Sequence, residues 1–186
     1  LLVPNDQDKY LYLSDAYFPM KNHIYHLITG SNLGERVRQL SRAEELIGED
    51  IGIIKRKSGI YETQPWGYED QPWFLNEVLE VSSPKTPQEV LKIIRNIELK
   101  AGRLLNEKWH ARHIDIDLLF CGDLVIENLE LTIPHPLLHT RNFVLVPLMD
   151  LIPEFMHPKL EKTIEELYLD CRDNGEVYIF NADEQE

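Results

Sequence analysis

Apolar and polar positions change period repeatedly along the chain, and each change marks an element. HIYHLIT (23–29) is a short apolar run that reads as a strand. GSNLGE follows as a turn, through Gly30 and Gly34. Val37, Leu40, Ala43, Leu46 and Ile47 then recur at helical spacing, so 35–48 predicts a helix packed on that strand. The β-branched run 51–63 predicts a second strand, and 64–72, with its prolines, glycine and acids, a loop. Alternation over 73–83 predicts a third strand. Thr86-Pro87-Gln88-Glu89 opens a helix with an N-cap, a proline at the first position and an early acid. Its stripe of Val90, Leu91, Ile94, Ile97, Leu99 and Ala101 runs to a stop at Gly102. Residues 103–112 have no period and read as a loop, and 113–120 as the fourth strand. One or two short strands are expected in 124–136, closed by a proline. A loop and then a helix fill 137–152, with Pro147 near a turn. A helix near 162–169 and a strand at 177–180 complete the pattern.

The first six elements run β-α-β-β-α-β. That order is an α+β, ferredoxin-like core: an antiparallel sheet with helices packed on it, extended here by C-terminal strands and helices. The 186 residues suffice for one domain with a sizeable core, expected over 20–180. Residues 1–19 lack the basic-then-apolar layout of a signal peptide, and Met20 opens a cleaner pattern. They are expected to be an extension outside the functional domain, and 181–186 an acidic tail. No apolar run approaches the roughly 20 residues that cross a bilayer. Cys121 and Cys171 have no CxxC spacing and are expected as free thiols, which suits a reducing cytoplasm.

The net charge of −13 argues against a general nucleic-acid binder. The charge is uneven. Residues 150–186 hold eleven acids against three bases, and their tail is expected to serve peripheral packing and solubility. Lys100, Arg103, Lys108 and Arg112 stand against Glu107 alone, a local basic stretch suited to a small anion.

That stretch leads into Asp115 and Asp117, set among apolar residues. Strand side chains alternate, so both carboxylates project from one face, roughly 7 Å apart at Cα, while Ile114, Ile116 and Leu118 line the other. Such a pair repels unless a cation or arginines intervene. Mg²⁺, which takes carboxylate and phosphate oxygens, suits it. A solvated strand face is the other reading. Arg103, Lys108 and Arg112, with His110 and His113, supply what a metal–nucleotide site needs on the phosphate side. Ion pairing to the surplus acids explains them equally well. His135, between two prolines and near Arg141 and Phe143, is placed to donate to a phosphate. Tyr61, Trp66, Tyr68, Trp73 and Phe74 crowd 61–76, a set that either packs locally or clamps a flat ligand. Asn76 offers donors and an acceptor for a heterocycle edge. GSNLG is no P-loop and reads as a backbone device that starts the helix.

Together, GSNLG (30–34), YETQPWGYEDQPWFLN (61–76), IELKAGR (97–103), WHARHIDIDLLF (109–120) and IPHPLLHTRNFVLVPL (133–148) resemble the 6-hydroxymethyl-7,8-dihydropterin pyrophosphokinase family of folate biosynthesis. The pieces keep the family's order and approximate spacing over about 23–160. The resemblance implies a Mg²⁺-dependent transferase. The diphosphate of ATP would move to the hydroxymethyl oxygen of the pterin, with attack at the β-phosphorus and AMP leaving. By position, Asp115 and Asp117 would bind two Mg²⁺ ions, and Arg103 and Arg112 would complete the catalytic set by neutralising phosphate oxygens. His135 and Arg141 would contact ATP, with Thr132, Glu98, Trp109 and Leu118 also on the nucleotide side. Trp109 and Phe143 would sandwich the pterin ring. Thr63, Gln64, Trp66 and Asn76 would read its edges, with Phe74 in the wall. Loop 103–112 would be mobile in the free protein and close over ATP. The implied partners are ATP and the pterin, with no nucleic acid or membrane, in a cytoplasmic monomer. Many members carry a second arginine two residues after Arg103, where this chain has Leu105. That difference bears on phosphate affinity or loop closure rather than on the type of reaction, and Lys108 is a point-charge substitute.

Overall fold

Residues 21–68, 70–101 and 112–181 are described in the computed structural model. Their strands are β1 (His23–Ser31), β2 (Ile53–Lys57), β3 (Tyr61–Thr63), β4 (Phe74–Ser83), β5 (Asp115–Cys121), β6 (Ile126–Glu127), β7 (Thr132–Ile133) and β8 (Val177–Ile179). The helices are α1 (Arg36–Asp50), α2 (Pro87–Lys100), α3 (Asn142–Leu151) and α4 (Ile164–Asp170). The main sheet is antiparallel, in the order β5-β1-β4-β3-β8, and β2 also pairs with β4. This is the expected ferredoxin-like order, with one addition: β8 is a new outer strand beyond β3. The small pair β6–β7 stands apart.

The stretch expected as one strand over 51–63 is two. β2 lies opposite Leu79–Ser82 and β3 opposite Phe74–Asn76. At the break, the Val78 N–H donates to Ser58 Oγ (2.9 Å), and the Gly59 N–H donates to Asp150 Oδ2 at the end of α3 (2.7 Å). Side-chain acceptors therefore take the place of ladder partners, which periodicity cannot reveal.

Helix α2 forms as its sequence dictates. Thr86 Oγ1 accepts from the Glu89 N–H, Glu89 reaches back to the Thr86 N–H, and Pro87 occupies the first turn. It ends at Lys100 with Ala101 as cap, and the expected stop at Gly102 lies outside the described residues. Pro147 falls inside α3 rather than at a turn. Proline there removes a helical hydrogen bond, and burial of Val144, Leu145, Leu148 and Leu151 holds the helix regardless.

The sheet buries both faces, by different means. Toward α1 and α2 it turns Tyr25, Leu27, Leu75, Leu79, Val81, Ile116 and Leu118, against Leu40, Ala43 and Ile47 of α1 and Val90, Ile94 and Ile97 of α2. Toward α3 and α4 it turns Ile28, Val78, Leu119 and Phe120. A bulge lets β5 serve both. His26 faces Phe120 while Leu27 faces Leu118, so Leu119 is the extra residue. Alternation resets there, and Leu119 and Phe120 both point to the α3–α4 side. Cys121 and Cys171 are free thiols, and burial pushes Cys121 up to about 12, leaving it unreactive. No helix among the described residues is long and apolar enough to cross a membrane.

One buried charge tests this packing. Glu77 of β4 is fully enclosed on the α1 side, accepting from Thr29 Oγ1 (3.3 Å). Burial, aided by the nearby Glu44 carboxylate, raises its pKa to about 7, while Lys57 opposes the shift. An acid raised in the folded state contributes stability below its unfolded value, near 4.5, and loses it as pH rises through about 7. Glu77→Gln is therefore expected to melt several degrees above the parent at pH 8 and close to it at pH 5. Thermal denaturation at the two pH values checks this.

Candidate active site

Helices α3 and α4 cover only part of their face of the sheet. At the uncovered end, strand register sets a row across the sheet: Asp115 beside Gly30, Gly30 beside Asn76, and Asn76 beside Tyr61. Asp117 stands beside Ile28, two residues along. Alternation gives Asp115, Asp117 and Asn76 the open face, as expected for the two acids.

Gly30 is glycine for a steric reason. A Cβ there would lie 2.5 Å from Asn76 Oδ1, and Asn76 is tied by donating from Nδ2 to Thr63 Oγ1 (2.7 Å). Gly34 adopts φ +65° and starts the turn into α1, so GSNLG is the backbone device it reads as. It is also more than that. Asn32, almost fully buried, accepts from the Arg112 N–H on Oδ1 (2.7 Å). Its Nδ2 donates to Gln71 Oε1 (3.1 Å) and to the Pro72 carbonyl (3.0 Å). One side chain thus joins the approach to β5 with the 64–73 loop.

The result is a cavity of about 310 Å³. Arg112, Asp115, Asp117 and Arg141 line its charged part. Thr63, Gln64, Trp66, Phe74, Asn76 and Phe143 line the rest, with Gln71. Gln71 was missed as a site residue, although it sits inside the aromatic-rich stretch. Arg112 pairs with Asp115 (2.7 Å) and so eases the repulsion between the acids. Arg141 is buried with its guanidinium 4.2 Å from the centre of the Trp66 ring and 5.7 Å from that of Phe143. Burial holds Arg141 below its ordinary value, while Asp117, Asp115 and Asp173 favour the cation. Among the described residues its Nε has no hydrogen-bond partner.

The other expected residues lie around the cavity rather than in it. β5 is the edge strand, and Glu98 of α2 accepts from the outward Ile116 N–H (3.0 Å), so this acid fastens the strand that carries the aspartates. His135 donates its N–H to the Leu119 carbonyl (3.0 Å) farther along the same edge. Its Nδ1 accepts from the Leu137 N–H (3.3 Å). Burial and the Arg141 charge lower its pKa to about 4, against the pull of Asp115. The imidazole is neutral at pH 7, with Nε2 left as donor. Thr132 sits half-buried on β7, beside β5. Leu118 carries its side chain into the α1–α2 core, opposite to the acids, so the expected nucleotide contact is not made by that side chain. Trp73 stacks on Tyr178 (6.0 Å, 6°), and only Trp66 and Phe74 of the crowded aromatics line the cavity. Arg103 and Trp109 lie outside the described residues. No cluster of three metal-ligating side chains exists among the described residues.

The sequence matches the family described as 7,8-dihydro-6-hydroxymethylpterin-pyrophosphokinase (HPPK) over residues 26–153. It is 39% identical over 141 residues to the 2-amino-4-hydroxy-6-hydroxymethyldihydropteridine pyrophosphokinase of Aquifex aeolicus, covering 76% of this chain and 88% of that one. The enzyme of that name from Porphyromonas gingivalis is also 39% identical, over 73% of this chain and 95% of that one. The folic acid synthesis protein of Dictyostelium discoideum is 35% identical, and this chain spans 24% of its length. Wild-type HPPK-DHPS of Plasmodium falciparum, solved with pteroate, superposes with a TM-score of 0.69 at 20% identity. The match covers 81% of this chain and 44% of that one, and at this identity it speaks for the fold alone. The chain belongs to the 7,8-dihydro-6-hydroxymethylpterin-pyrophosphokinase family. It is a pyrophosphokinase of folate biosynthesis that moves the diphosphate of ATP to the hydroxymethylpterin.

The Gly30 contact generates a test. Gly30→Ala is expected to push Asn76 off Thr63, costing about 1–3 kcal/mol in stability. It should also weaken pterin binding on the order of tenfold. Denaturant melts and a direct pterin titration check the two effects.

Proposed function

We propose that Asp115 and Asp117 hold two Mg²⁺ ions on the open sheet face, and that the aromatic part of the same cavity holds the pterin. The observation that carries this reading is the joining of both chemistries in one cleft, two carboxylates and two arginines beside Phe74, Phe143, Trp66 and the Asn76 amide. The donor set suits a hard cation: two carboxylates on one face, with remaining positions open to phosphate and water oxygens. Mg²⁺ held there would supply charge neutralisation for phosphate oxygens and would lower the pKa of a hydroxyl bound to it.

The chain's own residues do the rest. Arg112, which pairs with Asp115, turns to ATP oxygens, and Arg103 supplies a second guanidinium to them. His135 donates from Nε2 to a phosphate oxygen, and Thr132 lies close by. Glu98 acts at one remove, by fixing β5. Phe143 and Trp109 sandwich the pterin ring, with Phe74 in the wall, while Thr63, Gln64, Trp66 and Asn76 read its edges. The hydroxymethyl oxygen attacks the β-phosphorus, the bond from that phosphorus to the AMP oxygen breaks, and AMP leaves. Positioning and charge neutralisation supply the rate enhancement, without a covalent protein nucleophile. The enzyme works as a cytoplasmic monomer with residues 1–19 outside the functional domain, a setting that the free thiols Cys121 and Cys171 suit.

Incubation with ATP, Mg²⁺ and 6-hydroxymethyl-7,8-dihydropterin is expected to yield AMP only when the pterin is present. ADP and phosphate would indicate a different phosphotransferase, and no AMP would leave a binding module. Asp115→Ala and Asp117→Ala should each lower turnover by at least about a thousandfold, and omission of Mg²⁺ should abolish it. An active double variant would remove the metal assignment.

A further inference from the structure

We infer that Asp173, in the segment after α4, is a positioning residue for the aromatic end of the cleft. The inference rests on the reading that this end binds the pterin. The segment lies beyond residues 26–153, the part matched by the family.

Helix α3 begins without a cap from its own N-cap residue, Arg141. Asp173 supplies one from a distance. The Asn142 N–H donates to Asp173 Oδ2 (2.8 Å), and Asn142 Nδ2 donates to the Asp173 carbonyl. The carboxylate is fixed in turn, since its Oδ1 accepts from the Gly175 N–H (3.0 Å). Its charge also favours the Arg141 cation and the N-terminal end of α3. Asn142 stands between Arg141 and Phe143, and both neighbours line the cavity. An anchor on Asn142 therefore sets where each of them points.

The same segment also holds Gln64, another residue that lines the cavity. The Gln64 N–H donates to the Glu176 carbonyl (3.0 Å), and the Glu176 N–H donates to Gln64 Oε1 (3.0 Å). Next, β8 pairs with β3, and Tyr178 stacks on Trp73. Within seven residues the chain grips the start of α3 and the stem of the aromatic loop. Residues 173–179 thus tie Gln64 to Arg141 and Phe143 through one short stretch of chain.

Asp173→Ala and Asp173→Asn separate this role from simple support. Alanine should raise KM for the pterin about tenfold and KM for ATP by a smaller factor, through Arg141, with kcat changed by less than about twofold. Asparagine should recover most of the loss, because its carbonyl still accepts from the Asn142 N–H. An equilibrium pterin titration in the presence of a non-hydrolysable ATP analogue should show the same order. An unchanged pterin KM in Asp173→Ala overturns the inference, as does an asparagine variant no better than alanine. A lowered melting temperature with wild-type KM in the folded fraction also overturns it. Failure of the parent protein to form AMP would instead strike the functional reading, while the titration would still report on Asp173.

Discussion

Two carboxylates on one strand face repel each other, and the open end of the sheet is organised around holding them there. β5 is an edge strand, the least restrained position in a sheet, yet it carries both acids. Three fastenings keep it in register: pairing to β1, the Glu98 carboxylate on the Ile116 N–H, and the His135 N–H on the Leu119 carbonyl. Charge is handled separately, by Arg112 on Asp115 and by the buried guanidinium of Arg141. The strand that carries the acids is therefore held by partners within the fold, at the cost of keeping buried or half-buried ions in balance.

The cleft itself is a by-product of incomplete coverage. Helices α1 and α2 cover one face of the central strands β1, β4 and β5. On the other, α3 and α4 pack over Ile28, Val78, Leu119 and Phe120 and stop short of the row through Gly30. The bulge at Leu119 extends this division. Alternation alone puts Asp115, Asp117 and Leu119 on one face and Ile116 and Leu118 on the other, and the extra residue adds Phe120 to the part covered by α3 and α4.

Local signals carried the core of this architecture. The order of six elements, the capping box at Thr86 and the alternation around Asp115 are short-range patterns, and the structure bears them out. Most of the side chains lining the cavity were also legible, because they fall in distinctive motifs that travel together. What escaped depends on partners distant in sequence. The break between β2 and β3 needs Asp150, 91 residues away from Gly59. Asn32 gains its importance only when Gln71, Pro72 and Arg112 come together around it. Leu118 belongs to the core for the reason that Asp115 and Asp117 do not, since its side chain leaves the strand on the opposite face. The C-terminal segment shows a helix and a strand in its pattern, but its stretch between them gives no hint of a grip on Gln64 and Asn142.

Arg141 over Trp66 has a thermodynamic consequence of its own. The indole face in the cavity already carries a flat, delocalised cation. A planar ring arriving on that face exchanges one stacked partner for another instead of covering bare aromatic surface. Part of its stacking energy is therefore cancelled by what the guanidinium gives up. Under the proposed reading, discrimination between flat ligands then falls on their edges, where Asn76, Thr63 and Gln64 offer directional bonds. The aromatic surfaces would admit a shape, and the amides and hydroxyl would decide which molecule of that shape stays.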